Sequence, residues 1–166
     1  MNDKKSLRAW AKQFDKSGFS ENLIQALRER EEYKKARDVM IFYPLKKEVN
    51  LLALLEDKTK NFYLPKIDGE NMLCCPFNAD DELCVSCFNT KEPASPSVGK
   101  SKIDLVVVPA LCCDKNNYRL GYGGGFYDRF LNDYKGKTIV CLPQNLIVET
   151  IYPESCDVPV DIVITC

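Results

Sequence analysis

The sequence predicts an α/β fold: a single domain over residues 1–166, with a mostly parallel open sheet flanked by helices in a Rossmann-like three-layer arrangement. Three observations carry this. Segments with apolar residues at helical spacing alternate with short, continuous apolar runs, as strands covered on both faces require. Those runs stop at prolines or turn residues. The length of 166 residues, with 45% apolar and 28% charged side chains, fits one hydrophobic core. No internal repeat and no low-complexity segment interrupts the pattern.

Over residues 4–14, Leu7, Trp10, Ala11 and Phe14 form one helical stripe, with Lys4 and Arg8 four residues apart beside it. Ser20 is placed to N-cap a second helix through about Arg37, with Leu23, Ile24 and Leu27 inward. Val39–Tyr43 is a buried strand ended by Pro44. Asn50 caps a helix carrying Leu51, Leu52, Leu54 and Leu55. Asn61–Leu64 is a strand stopped by Pro65, and Met72–Phe77 is a strand whose Pro76 assigns it to an edge. Residues 89–102, rich in turn formers, read as a surface loop. Ile103–Val108 is the central strand. A helix runs from about Phe126 to Tyr134, and Thr138–Leu142 and Asp161–Ile164 close the sheet.

Composition narrows the chemistry. Lys and Arg number 23 against 24 Asp and Glu, so the chain has no bulk attraction for nucleic acid or an anionic membrane. No apolar run approaches the ~18 residues of a transmembrane helix. The N-terminus lacks the apolar core of a secretory signal, which leads to the expectation of a cytoplasmic protein. There are nine cysteines, an odd number that in such a compartment reads as reduced thiols used in packing or left at the surface. Cys84 and Cys87 form a CxxC, with Cys74, Cys75, Cys112 and Cys113 elsewhere, but no second well-spaced pair completes a zinc site. Histidine is absent. That removes Ser-His-Asp and Cys-His catalysis and any imidazole acid–base step. Phosphoryl transfer suits what is left, because it depends on positioning and charge neutralisation.

Residues Pro109–Phe130 read PALCCDKNNYRLGYGGGFYDRF. Four glycines in the five positions Gly121–Gly125 precede a helix, where backbone N–H groups can meet an anion. Glycine serves there because side chains would obstruct the phosphates and some positions call for positive φ. Arg119 and Arg129 flank the loop and can add charge-assisted bonds. Asp128 offers a hard oxygen to Mg²⁺. The segment ASPSVGKS at residues 94–101 is not a P-loop, since Ala94 replaces the first glycine, Pro96 interrupts it and a strand comes after it. The glycine run is not GxGxxG either, so NAD binding is not expected.

RLGYGGGFYDRF resembles the RLGxGxGYYDR signature of the 5-formyltetrahydrofolate cyclo-ligase family. Other segments resemble family counterparts in the same order: KKSLR at Lys4–Arg8, YPLKKEVN at Tyr43–Asn50, Leu64–Lys66, Glu92-Pro93, Gln144, the Pro153–Asp157 stretch and the ending DIVIT. The resemblance implies an ATP-dependent ligase that turns 5-formyltetrahydrofolate into 5,10-methenyltetrahydrofolate, with ATP and Mg²⁺ as cofactors and a small-molecule partner, acting as a monomer. It implies an ATP site at Lys4, Lys5, Ser6, Leu7, Arg8, Arg119, Leu120, Gly121, Tyr122, Gly123, Gly124, Gly125, Phe126 and Tyr127. Folate would meet Tyr43, Glu48, Tyr122, Gly123, Gly124, Gly125 and Phe126, with Glu48 on the pterin amino groups. Asp128 and Asp157 would hold the metal, and Arg119, Tyr122, Gly124 and Arg129 would act in catalysis. Arg119 is expected at the surface as a phosphate ligand.

The chain departs from the family pattern at Phe126, where a tyrosine is frequent, and at Cys156, where a histidine is frequent. It is also short, which implies trimmed loops around residues 78–100. Two rival readings stand beside this one: another ATP-dependent kinase or ligase using the same loop, and a non-enzymatic nucleotide- or zinc-binding domain.

Overall fold

The computed structural model describes residues 2–166. Its helices are α1 (Lys4–Ala11), α2 (Ser20–Glu29), α3 (Glu31–Lys35) and α4 (Phe126–Leu131). Its strands are β1 (Asp38–Met40), β2 (Asn61–Asp68), β3 (Asn71–Pro76), β4 (Leu83–Val85), β5 (Lys91–Pro93), β6 (Leu105–Val107), β7 (Cys112–Asp114), β8 (Arg119–Leu120), β9 (Lys137–Leu142), β10 (Ile147–Val148) and β11 (Ile162–Thr165). Six of them form the main sheet in the order β11-β9-β6-β1-β2-β3. Every pairing in it is parallel except β2 with β3, as the continuous apolar runs predict.

Alternation along the strands builds the three layers. Val39, Ile41, Phe62, Leu64, Leu105, Val107, Ile139 and Cys141 pack with Leu23, Ile24 and Leu27 of α2. Their neighbours Met40, Tyr63, Val106, Val108, Val140 and Leu142 pack on the other face with Leu7 and Ala11 of α1 and Phe130 and Leu131 of α4. A strand covered on both sides cannot spare a polar position, which is why these runs read as unbroken apolar sequence.

Several boundaries move. The second helix breaks at Arg30, whose ψ of 135° is extended, and α3 then turns Tyr33 into the core. Ser20 is the first residue of α2 and not its cap. Its hydroxyl donates to the Ser17 carbonyl at 2.6 Å and accepts the Asn50 N–H at 2.9 Å. Asn50 accepts the Leu52 N–H in the turn before the element but does not cap it: the element is a 3₁₀ segment, Leu52–Glu56, whose N-cap is Leu51. Pro65 does not stop β2. The Phe77 N–H bonds the Phe62 carbonyl, so by alternation Pro65, opposite Cys74, turns its nitrogen away from β3, toward the side where β1 has ended. Helix α4 ends at Leu131 because Tyr134 is drawn off to donate to the Ile103 carbonyl at 2.9 Å.

Two features were not expected. Residues 89–102 are not all loop: β4 and β5 form a hairpin, and Val98 bridges Cys74. Strands β7, β8 and β10 form a second, three-stranded sheet in the order β10-β7-β8, with β7 and β8 lying in sequence between β6 and the glycine run. They are two or three residues long, below the length at which alternation becomes visible. Of the nine cysteines, Cys74, Cys75, Cys112, Cys113 and Cys141 are buried, and Cys84, Cys87, Cys156 and Cys166 are exposed. Burial pushes the Cys74 and Cys112 thiols up to about 11, so these side chains act as small hydrophobes.

Candidate active site

Strand order reverses between β1 and β6: the chain passes from β1 to β2 on one side and later to β6 on the other. Ligands collect at the carboxyl ends of strands at such a point. A cleft of about 1420 Å³ opens there, lined by Tyr43 after β1 and Pro109 after β6. The N-terminal turns of α1, the run Arg119–Arg129 and the segment Tyr152–Asp157 supply further walls.

Gly123 and Gly125 have φ of 110° and 71°, a region that costs an ordinary residue about 1–2 kcal/mol. Gly121 and Gly124 are glycine for a different reason. A Cβ on Gly121 would lie 2.8 Å from Arg119 Nη1, and one on Gly124 would lie 2.9 Å from the Phe126 ring. Side chains hold the loop in shape: Arg8 Nε donates to the Gly121 carbonyl at 2.9 Å, and Arg129 Nη1 to the Gly124 carbonyl at 2.9 Å. Arg129 also donates to the Glu70 carbonyl at 3.0 Å, which ties the loop to the β2–β3 turn.

Arg119 is not at the surface. Its side chain is 4% exposed, with the guanidinium 3.4 Å from Asp128 Oδ1 and over the Tyr127 ring at 5.3 Å. Arg119 Nε has no hydrogen-bond partner among the described residues, an unmet buried donor that an anionic ligand in the cleft could satisfy. Asp128 Oδ1 also accepts the Val158 N–H at 3.1 Å. Lys4 Nζ lies 2.5 Å from Asp157 Oδ2 and 3.0 Å from Glu154. Burial lowers the Lys4 amine, but its bonds to Asp157 and Glu154 outweigh that and leave it above its usual range.

Glu48, at 6% exposure, forms the other end. Its Oε1 accepts the Tyr122 hydroxyl and its Oε2 the Leu45 N–H, each at 2.8 Å. Burial, then the Glu48 charge, holds the Tyr122 phenol well above its ordinary value. Tyr122 therefore joins the glycine loop to the Leu45–Glu48 turn, two segments 74 residues apart in sequence. Tyr43 lines the cleft with Lys91 Nζ 5.2 Å from its ring centroid.

Most of the expected residues meet in this cleft: Lys4, Lys5, Arg8, Tyr43, Glu48, Arg119 to Arg129 and Asp157. Leu7 is buried among core residues. Ser6 is exposed outside the lining, with its N–H on the Asp3 carboxylate at 2.7 Å. A contiguous motif on a helix cannot place every member on one face. Sequence reasoning missed Phe88 of the β4–β5 hairpin, which lines the cleft and packs on Phe126 with ring centroids 5.4 Å apart. Only the hairpin fold brings it there.

The residues present fit a triphosphate with Mg²⁺. Lys4, Lys5, Arg8 and Arg119 supply positive charge. Asp128 and Asp157 supply two carboxylates, which suits an ion that takes one or two of them and completes its shell with phosphate oxygens and water.

A model of the 5-formyltetrahydrofolate cyclo-ligase family matches residues 4–166. The chain is 28% identical over 142 residues to the 5-formyltetrahydrofolate cyclo-ligases of Escherichia coli (strain K12) and Haemophilus influenzae. The match covers 78% of both chains in the first case, and 77% of this chain and 75% of the relative in the second. The NMR structure of Aquifex aeolicus 5,10-methenyltetrahydrofolate synthetase superposes with a TM-score of 0.85 at 30% identity, over 98% of this chain and 89% of that one. The Mycoplasma pneumoniae 5,10-methenyltetrahydrofolate synthetase shares the fold, with a TM-score of 0.77 at 20% identity over 98% of each. By sequence along nearly its full length and by the fold that carries the cleft, the chain belongs to the 5-formyltetrahydrofolate cyclo-ligase family.

Proposed function

We propose that this chain converts 5-formyltetrahydrofolate to 5,10-methenyltetrahydrofolate with consumption of ATP, releasing ADP and phosphate, as a monomeric single-domain enzyme of the cytoplasm. The observation that carries the proposal is the Tyr122–Glu48 bond of 2.8 Å, because it puts a candidate phosphate cradle and a candidate pterin anchor in one cleft. Glu48 offers a carboxylate to the paired pterin donors, and Tyr43 and Phe126 give the ring apolar walls.

A formyl oxygen on nitrogen is a poor leaving group. Transfer of the γ-phosphoryl group to that oxygen lets the N10 amine attack the formyl carbon, after which phosphate leaves with the C–O electron pair and the N10 proton passes to solvent. Lys4, Arg8 and Arg119 would hold the phosphates and take up charge as it moves. Asp128 and Asp157 would hold Mg²⁺, which when bound neutralises phosphate charge. Arg129 keeps the loop in register through the Gly124 carbonyl. No step requires an imidazole, in keeping with a chain that has none.

Mixing protein, MgATP and 5-formyltetrahydrofolate should raise the methenyl-folate absorbance. No rise with pure, folded protein would reject the proposal.

A further inference from the structure

Lys16 lies between α1 and α2 and is 3% exposed. An ammonium without water needs compensation, yet among the described residues its one hydrogen bond is to the Ala110 carbonyl, at 3.3 Å. Three donors are thus served by a single, long acceptor. The Lys16 N–H bonds the Lys47 carbonyl at 2.9 Å, which fixes the residue against the turn that carries Glu48. Burial pushes the Lys16 amine below its ordinary range, and the charge of Glu48 opposes that fall. The two residues form no direct ion pair, and the Lys16 ammonium lies against the Ala110 carbonyl. Glu48 lines the cleft and Lys16 does not.

We propose that Lys16 is a positioning residue for substrate recognition that acts through Glu48. Its ammonium balances the carboxylate that Glu48 must keep in the wall of the cleft once a ligand has displaced water from it. This rests on the reading of Glu48 as the folate anchor. A lysine held only to pin the Ala110 carbonyl would be an expensive choice, because an apolar side chain of the same length avoids its desolvation. A place against the turn that carries a second buried charge gives the expense a purpose. When folate closes over Glu48, a carboxylate without a counter-charge would lose its hydration and gain only neutral donors. With Lys16 against its turn, the low-dielectric surroundings strengthen an attraction already in place.

The test is a mutant cycle read by the KM for 5-formyltetrahydrofolate and, separately, for ATP. Lys16→Met removes the charge and the bond to Ala110. Lys16→Gln removes the charge and keeps an amide donor for that carbonyl. Both should raise the folate KM roughly tenfold or more, within the range of coupling between interacting residues, and leave the ATP KM within about twofold. Urea unfolding should show Lys16→Met as stable as the parent or more so. In a Glu48→Gln background, Lys16→Met should add no further rise. A normal folate KM in Lys16→Gln, or an equal rise in both backgrounds, would reduce Lys16 to a structural pin. Glu48→Gln with an unchanged folate KM would instead overturn the reading of the folate site itself.

Discussion

Lys4 Nζ and Asp157 Oδ2 are 2.5 Å apart, joining the first turn of α1 to a segment 153 residues away. Family resemblance assigns these residues to different ligands, one to phosphate and one to metal. Here each is the other's partner, so the pair keeps two opposite charges in place in the cleft wall. Burial raises the Asp157 carboxyl, but the Glu154 N–H and Lys4 outweigh it, and the net shift is downward from 3.8. Lys4 is shifted upward from 10.5. The stabilisation is therefore fully present between those values. It is lost as pH falls through the depressed Asp157 value or rises through the elevated Lys4 value. Asp157→Asn should cost about 1–3 kcal/mol in urea unfolding at neutral pH. That difference should shrink once pH drops below 3.8, and a pH-independent difference would show that the pair contributes nothing.

Turnover should require both nucleotide and a divalent cation, since Asp128 and Asp157 face a cleft whose cations suit a triphosphate. Methenyl product formed at full rate in chelator, without ATP, would sink the mechanism.

Burial changes what Arg119→Ala should do. Besides weakening ATP use roughly tenfold to a hundredfold, it empties space beneath the loop and leaves Asp128 without its guanidinium. A stability loss of about 2–4 kcal/mol should accompany the kinetic one. Lys at this position should rescue little, because it can neither stack on Tyr127 nor present a fork. Thermal unfolding alongside ATP kinetics checks both parts, and a variant as stable as the parent would place Arg119 outside the packed layer.

Two glycine variants separate strain from obstruction. Gly125→Ala should lose about 1–2 kcal/mol of stability from its φ of 71° alone. Gly124→Val meets the Phe126 ring at 2.9 Å, so it should displace Phe126 and lower activity more than stability. Equal losses in both measures for both variants would mean that the loop is a turn and nothing more.

Replacing Cys84 and Cys87 together by Ser should leave catalysis and melting temperature nearly unchanged, because both are exposed on the hairpin. A large drop in melting temperature, with zinc released when the parent unfolds, would restore the zinc-binding alternative.

Strands such as Val39–Met40 and Leu105–Val107 were legible because burial on both faces leaves an unbroken apolar run, and period and composition are local properties. The glycine loop was legible for the same reason: positive φ at Gly123 and Gly125 and close packing at Gly121 and Gly124 are demands that only one residue type meets cheaply. Other features depend on which segments fold against each other. Arg119 reads as a surface cation in sequence, and a two-residue strand against Cys113 buries it. Pro65 reads as a stop, and a neighbouring strand that has already ended makes it harmless. Lys16 looks like any solvated lysine until Ala110 and the Glu48 turn close over it. Sequence by itself determined the α/β layering, the glycine loop and the family, because these rest on short-range pattern. Tertiary structure alone decided which charges are buried, which pairs share the cleft and which side chains face Glu48. Desolvation and long-range Coulomb terms act between residues that sequence separation does not rank.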